Sequence, residues 1–107
     1  VRWKGGERCA DGSSRDDSET SSPHGSFGAC GEAAQNTCPG WPSFEGVIGG
    51  CLQAMWDEGE PPSQPCNGGC FQAHGHYLTM SSTRYTEVAC GFYEMPDGRV
   101  WSNQNFR

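Results

Sequence analysis

Seven cysteines in a chain of 107 residues, of which only 34% are hydrophobic, set the terms for any fold this sequence can adopt. A core that lean buries little surface for its length, and disulfides supply the stability that burial does not. The cysteines are scattered rather than grouped as paired C-x-x-C knuckles. That favours disulfides in an oxidising compartment (secreted, cell-surface or periplasmic) over a cytosolic metal or redox protein. Cys66 and Cys70, in "PCNGGC", are close enough to staple their own loop, because two of the three residues between them are glycine. For Cys9, Cys30, Cys38, Cys51 and Cys90 the spacing defines no pairing. Since seven is odd, one cysteine is free, joined to another chain, or joined to a further segment.

The net charge of −6, with a single lysine, repels phosphate backbones and excludes nucleic acid as a natural partner. It leaves no basic patch for a membrane surface, and no apolar run approaches the ~20 residues of a spanning helix. No secretory leader is present, so an exported protein with this sequence would be in its mature form.

Local patterns place few regular elements. Residues 7 to 19 suggest a weak helix with Cys9 and Ala10 inward, because serine and aspartate compete for backbone hydrogen bonds. Residues 24 to 36, "HGSFGACGEAAQN", read as a loop entering a short strand, and "CPGWPS" reads as a breaker cluster. The clearest element is a helix over 43 to 58. Phe44, Val47, Ile48, Cys51, Leu52, Met55 and Trp56 recur at three- and four-residue steps, Ser43 suits the N-cap and "GEPP" suits the stop. Residues 61 to 72 read as a stapled loop. "TEVACGFY" and "VWSNQNF" read as a hairpin turned by Asp97-Gly98, with Val88, Cys90 and Phe92 on one face of the first strand.

Projected on that helix, Asp57 is solvated and Glu58 falls inside the apolar stripe. A carboxylate there needs a partner or a cleft, unless the helix end frays and lets it reach water; both readings stand. His24, Glu32, Glu58 and His76 each open or close an element. Two imidazoles and two carboxylates suit a divalent ion such as zinc, and equally suit general acid–base chemistry.

Four segments in order carry a family resemblance. "HGSFGACGEAAQN" resembles the H…GE(N) signature of the CAP superfamily, the cysteine-rich secretory, venom-antigen and pathogenesis-related proteins. "AMWDE" resembles its W-x-E helix end, "GHYLTMSSTRYTEVACGF" its GHYTQ-type motif and following strand, and "DGRVWSNQNF" its closing strand. Short prokaryotic members are the most similar. The resemblance spans residues 20 to 107 and implies one α+β domain over 1 to 107, a three-layer α-β-α sandwich around a small antiparallel sheet. It implies that His24, Glu32, Glu58 and His76 line a cleft and hold a divalent metal, with His74 outside the set at the surface. Two departures stand out: Ala33 replaces the asparagine of GEN, and GHYLT lacks the glutamine of GHYTQ.

The resemblance also implies a long first helix ahead of "VRWKGGERCAD", which this sequence lacks. Bare apolar surface of that size would be covered either by residues before 23 folding back or by a second polypeptide. Trp3, Phe27 and Trp41 are the aromatics nearest the gap, and Cys9 is the expected tether. Functionally the family implies an extracellular module that binds a small-molecule, lipid, glycan or protein ligand. One rival is a metal-dependent hydrolase with Glu32 or Glu58 as base. Another is a structural domain whose four residues form only a polar network. No serine or cysteine nucleophile stands beside a histidine in a known motif, and Ser81 and Ser82 read as turn caps.

Overall fold

The serines that weaken residues 7 to 19 as an isolated helix are what attach it to the rest of the protein. The computed structural model describes residues 1–62 and 64–107, so Ser63, in the expected stapled loop, lies outside it. Helix α1 runs Glu7–Thr20 and buries Ala10, Ser13, Ser14, Asp17 and Ser18. This face is polar, and its partner is polar too. Asn103 donates through Nδ2 to Ser13 Oγ at 3.1 Å and to Asp17 Oδ2 at 3.0 Å. Its backbone N–H donates to Ser14 Oγ at 3.1 Å, and its Oδ1 accepts from the Thr37 hydroxyl. Each of these buried side chains finds a partner, so the helix docks through hydrogen bonds where an apolar stripe would ordinarily serve. Cys9 is solvent-exposed rather than inward, and Ala10 alone of that pair is buried.

Strands β1 (Ala34–Trp41), β2 (Val88–Glu94) and β3 (Val100–Phe106) form one antiparallel sheet in the order β1-β3-β2. The expected hairpin is β2-β3, and β3 occupies the span read from "VWSNQNF". As the central strand β3 is buried throughout, including Ser102, Asn103, Gln104 and Asn105. Residues in register share a face: Cys38, Ser102 and Phe92 on one, Thr37, Asn103 and Gly91 on the other. Helix α1 covers the second face, so residues before 23 do lie over the sheet.

"CPGWPS" interrupts β1 less than expected. The strand continues to Trp41, with its register shifted between Cys38 and Trp41, where Pro39 and Gly40 fall. Gly40 takes φ +61° there, and a Cβ would stand 2.9 Å from Arg99 Nη1.

Helix α2 is continuous over 44 to 56: Phe44–Gly46, a π-helical stretch Val47–Leu52, then Gln53–Trp56. Ser43 caps it, accepting from Gly46 N at 2.9 Å. In a regular α-helix residues four apart drift by roughly 40° per step. The wider π turn offsets that drift and keeps Val47, Cys51 and Met55 in one buried line. The broad stripe expected from sequence is therefore narrower: Phe44, Ile48 and Trp56 are exposed. Trp41 lies against Gly50, where a Cβ would come 2.7 Å from its ring. Val47, Cys51, Met55, Cys38 and Val100 form the apolar core.

Helix α3 spans Gly69–Ser81, much of it in a segment read as loop or turn. Ser81 belongs to this helix, its hydroxyl donating to the Tyr77 carbonyl at 2.8 Å, and Ser82 is its C-cap. No described helix is long and apolar enough to cross a membrane.

Cys66–Cys70 is bonded, as expected, and Cys38–Cys51 ties β1 to α2 inside the core. Cys9 pairs with Cys30, which overturns its assignment as the odd cysteine; that residue is Cys90. Trp3 is buried with the Arg107 guanidinium 4.0 Å above its ring, Trp41 packs on the core, and Phe27 is half exposed. Burial pushes the Cys90 thiol up from its ordinary pKa, and the charge of Glu7 adds to this. We expect alkylation of the oxidised protein to add one label, slowly at neutral pH and faster as pH rises, and seven after reduction. Intact mass spectrometry reads the count; no label, or three, before reduction would contradict this pairing.

Candidate functional site

The end of α2 and the middle of α3 are joined by the histidines of "HGH". His74 Nδ1 donates to the Gly59 carbonyl at 2.8 Å, and His76 Nδ1 donates to Glu58 Oε2 at 2.7 Å. The other Glu58 oxygen accepts from the backbone N–H of Tyr77 at 3.1 Å, and Trp56 packs against Tyr77 at a tilt of 49° with centroids 4.9 Å apart. Glu58, inward by helical phase, thus meets α3 and not open water; its side chain is 19% exposed. His74, expected at the surface, instead holds the turn after α2.

His24 reaches the same region from the loop before β1. It has φ +62°, a left-handed backbone that costs a non-glycine residue about 1–2 kcal/mol. Its Nδ1 donates to Gln35 Oε1 at 2.7 Å, and Gln35 Nε2 donates to Asn105 Oδ1 at 2.8 Å, which anchors the ring to the sheet. Nearby, Asp17 Oδ1 accepts from Ser26 N at 2.8 Å and ties this loop to α1.

His24 and His76 line one cavity of about 270 Å³. Gln35 and Asn36 of β1 form one wall; Phe71, Gln72, Gly75 and Thr79 of α3 form the other. Nδ1 is engaged on both rings, and Nε2 of each has no protein partner among the described residues; in a neutral imidazole that nitrogen is an acceptor. Phe71 is 56% exposed and presents an aromatic surface to the same space.

Glu32 does not join them. It is buried in its own loop, accepting from the backbone N–H of Gly28 and, at 3.0 Å, of Cys30. Zinc takes three or four protein donors, and the expected set of His24, Glu32, Glu58 and His76 does not fit that need here. Both carboxylates spend both oxygens on other partners, which leaves two imidazole nitrogens. Among the described residues no group of three or more His, Cys, Asp and Glu is placed to hold a metal ion.

Sequence reasoning misses Phe71, Gly75 and Thr79, because no periodicity marks α3 as a helix, and misses Gln35 and Asn36 of β1, because polar residues at a strand start read as solvated. The available signal was the absence of proline after Pro65, from Cys66 through Ser81. With α3 assigned, Phe71, Gly75 and Thr79 fall four apart on one face. No protein-family model, no curated protein and no solved structure matches this chain.

Proposed function

We propose that this is an exported, CAP-like binding domain whose His24–His76 cavity takes a hydroxyl-bearing ligand, with a glycan as the best fit. The observation that carries this reading is the pair of imidazoles, each fixed through Nδ1 and each leaving Nε2 to accept a hydrogen bond in one small cavity. Sugar hydroxyls are donors of the required kind. The exposed face of Phe71 suits the apolar face of a sugar ring, and the volume sits at the small end of ligand sites. The order of the four CAP-like segments, the antiparallel three-stranded sheet and the three disulfides support the family reading and an oxidising compartment.

One observation favours a hydrolytic rival: Glu58 orients His76 as a carboxylate orients a general base. Against it, the hydroxyl lining the cavity is that of Thr79, which donates to the Gly75 carbonyl, and neither carboxylate is free to act.

Glycan-array screening of the protein beside its H24A and H76A variants tests the proposal. Retention of at least one glycan class by the protein, and its loss from both variants at unchanged circular dichroism, is the expected result. No retained glycan, or retention indifferent to both substitutions, would overturn the reading. Cleavage of the retained glycan, seen by mass spectrometry, would replace binding with hydrolysis.

A further inference from the structure

Phe71 and Thr79 line a second cavity as well as the first. This second space, of about 710 Å³, continues along the C-terminal end of α3 to the segment after it. Its lining includes Ser82, Thr83, Arg84 and Tyr85. Arg84 is exposed, and no carboxylate lies within ion-pairing distance of it among the described residues; Arg8 and Lys4 are likewise unpaired, but of the three only Arg84 lines either of these two spaces. No Asp or Glu lines either cavity, in a chain of net charge −6. The two spaces lie side by side along α3 and share Phe71 and Thr79, a candidate groove with imidazoles at one end and Arg84 at the other.

Resting on the glycan-binding reading, we infer that the groove selects an acidic glycan of at least two rings. One ring's hydroxyls meet His24 and His76, and the carboxylate of a linked uronic acid meets Arg84. From Gly75 to the end of α3 the helix advances about 9 Å, more than one sugar ring spans, so a single ring cannot engage both ends. A planar guanidinium suits a carboxylate through paired hydrogen bonds. Phe71, between the two spaces, offers its ring where the linkage passes. Thr83 has a hydroxyl with no protein hydrogen-bond partner among the described residues, and Tyr85 lies beside it.

Calorimetric titration with digalacturonate and with neutral digalactose tests this. The acidic disaccharide is expected to bind about tenfold more tightly, the order of one charge-assisted hydrogen bond at an exposed site. Arg84→Gln should bring the two affinities together, and Arg84→Glu should reverse the preference; both changes lie on an exposed side chain and spare the fold. His76→Ala should weaken both ligands alike. Equal binding of the two disaccharides, unaffected at Arg84, would overturn the acidic selectivity and leave the glycan-binding reading intact. No binding of either, with another glycan still retained on the array, would overturn the acidic selectivity alone; no glycan retained at all would remove both.

Discussion

Gly91→Ala is expected to cost about 3 kcal/mol or more, at the upper end of overpacking effects. A Cβ at Gly91 would stand 2.1 Å from the Ala10 carbonyl carbon, 2.3 Å from its oxygen and 2.3 Å from Asp11 N. All three are backbone atoms of α1, so no side chain can swing aside. The helix must lift from β2, losing the 2.9 Å bond from Phe92 N to Asp11 Oδ1 and straining the Asn103 network behind it. A domain this size holds about 5–15 kcal/mol in total, so the loss should show as a large fall in the urea midpoint. Gly12→Ala is the matched control. Nothing lies within 4 Å of its added methyl, and alanine in a helix interior should stabilise by up to about 1 kcal/mol. A Gly91→Ala midpoint close to wild type would show that α1 does not sit as tightly on the sheet as described.

Asn103→Leu should cost about 3–5 kcal/mol, the range for breaking a buried network around a charged partner. Leucine keeps the branched shape and heavy-atom count of asparagine but is bulkier, so overpacking adds to the loss of the polar atoms. Asp17 loses the amide at its Oδ2, and Ser13 and Thr37 lose a partner, all in buried positions. Because Asp17 also holds Ser26, the loop carrying His24 should loosen, and hydrogen exchange over residues 22 to 33 should quicken. Ser18→Ala is the contrast: its hydroxyl donates within its own helix, to the Arg15 carbonyl, and its removal should cost well under 1 kcal/mol. Equal effects from the two substitutions would refute the hub role of Asn103.

The site was legible in its members more than in its connections. His24 and Glu58 stand at element ends, whereas His76, expected at one, lies within α3; the inward phase of Glu58 pointed to a partner on another element. That the partner is His76 depends on how α2 and α3 pack, which no local pattern encodes. Glu32 shows the opposite case. The same chain position fits a cleft ligand or a loop brace, and the turns between Gly28 and Glu32 fold its carboxylate back onto two backbone amides. The helix that carries most of the cavity escaped notice because its residues mix apolar, polar and glycine positions and its N-cap is a glycine with no side chain to signal a start.

Patterns of short period were decided by the sequence itself. Alternation set β2, Asp97-Gly98 set the turn that returns the chain as β3, the three- and four-residue spacing set α2, and two glycines between Cys66 and Cys70 set the staple. These depend on neighbours within a few residues, where sterics and hydrogen-bond geometry leave little choice. Only the tertiary structure decided which cysteine stays unpaired, which side of α2 is buried, and that a serine-rich helix docks on an asparagine-rich strand. Each of those turns on groups far apart in the chain: Cys9 with Cys30, Trp41 with Gly50, Ser13 and Asp17 with Asn103. A polar side chain counts as solvated until its partner is known, and here the partners lie up to 90 residues away.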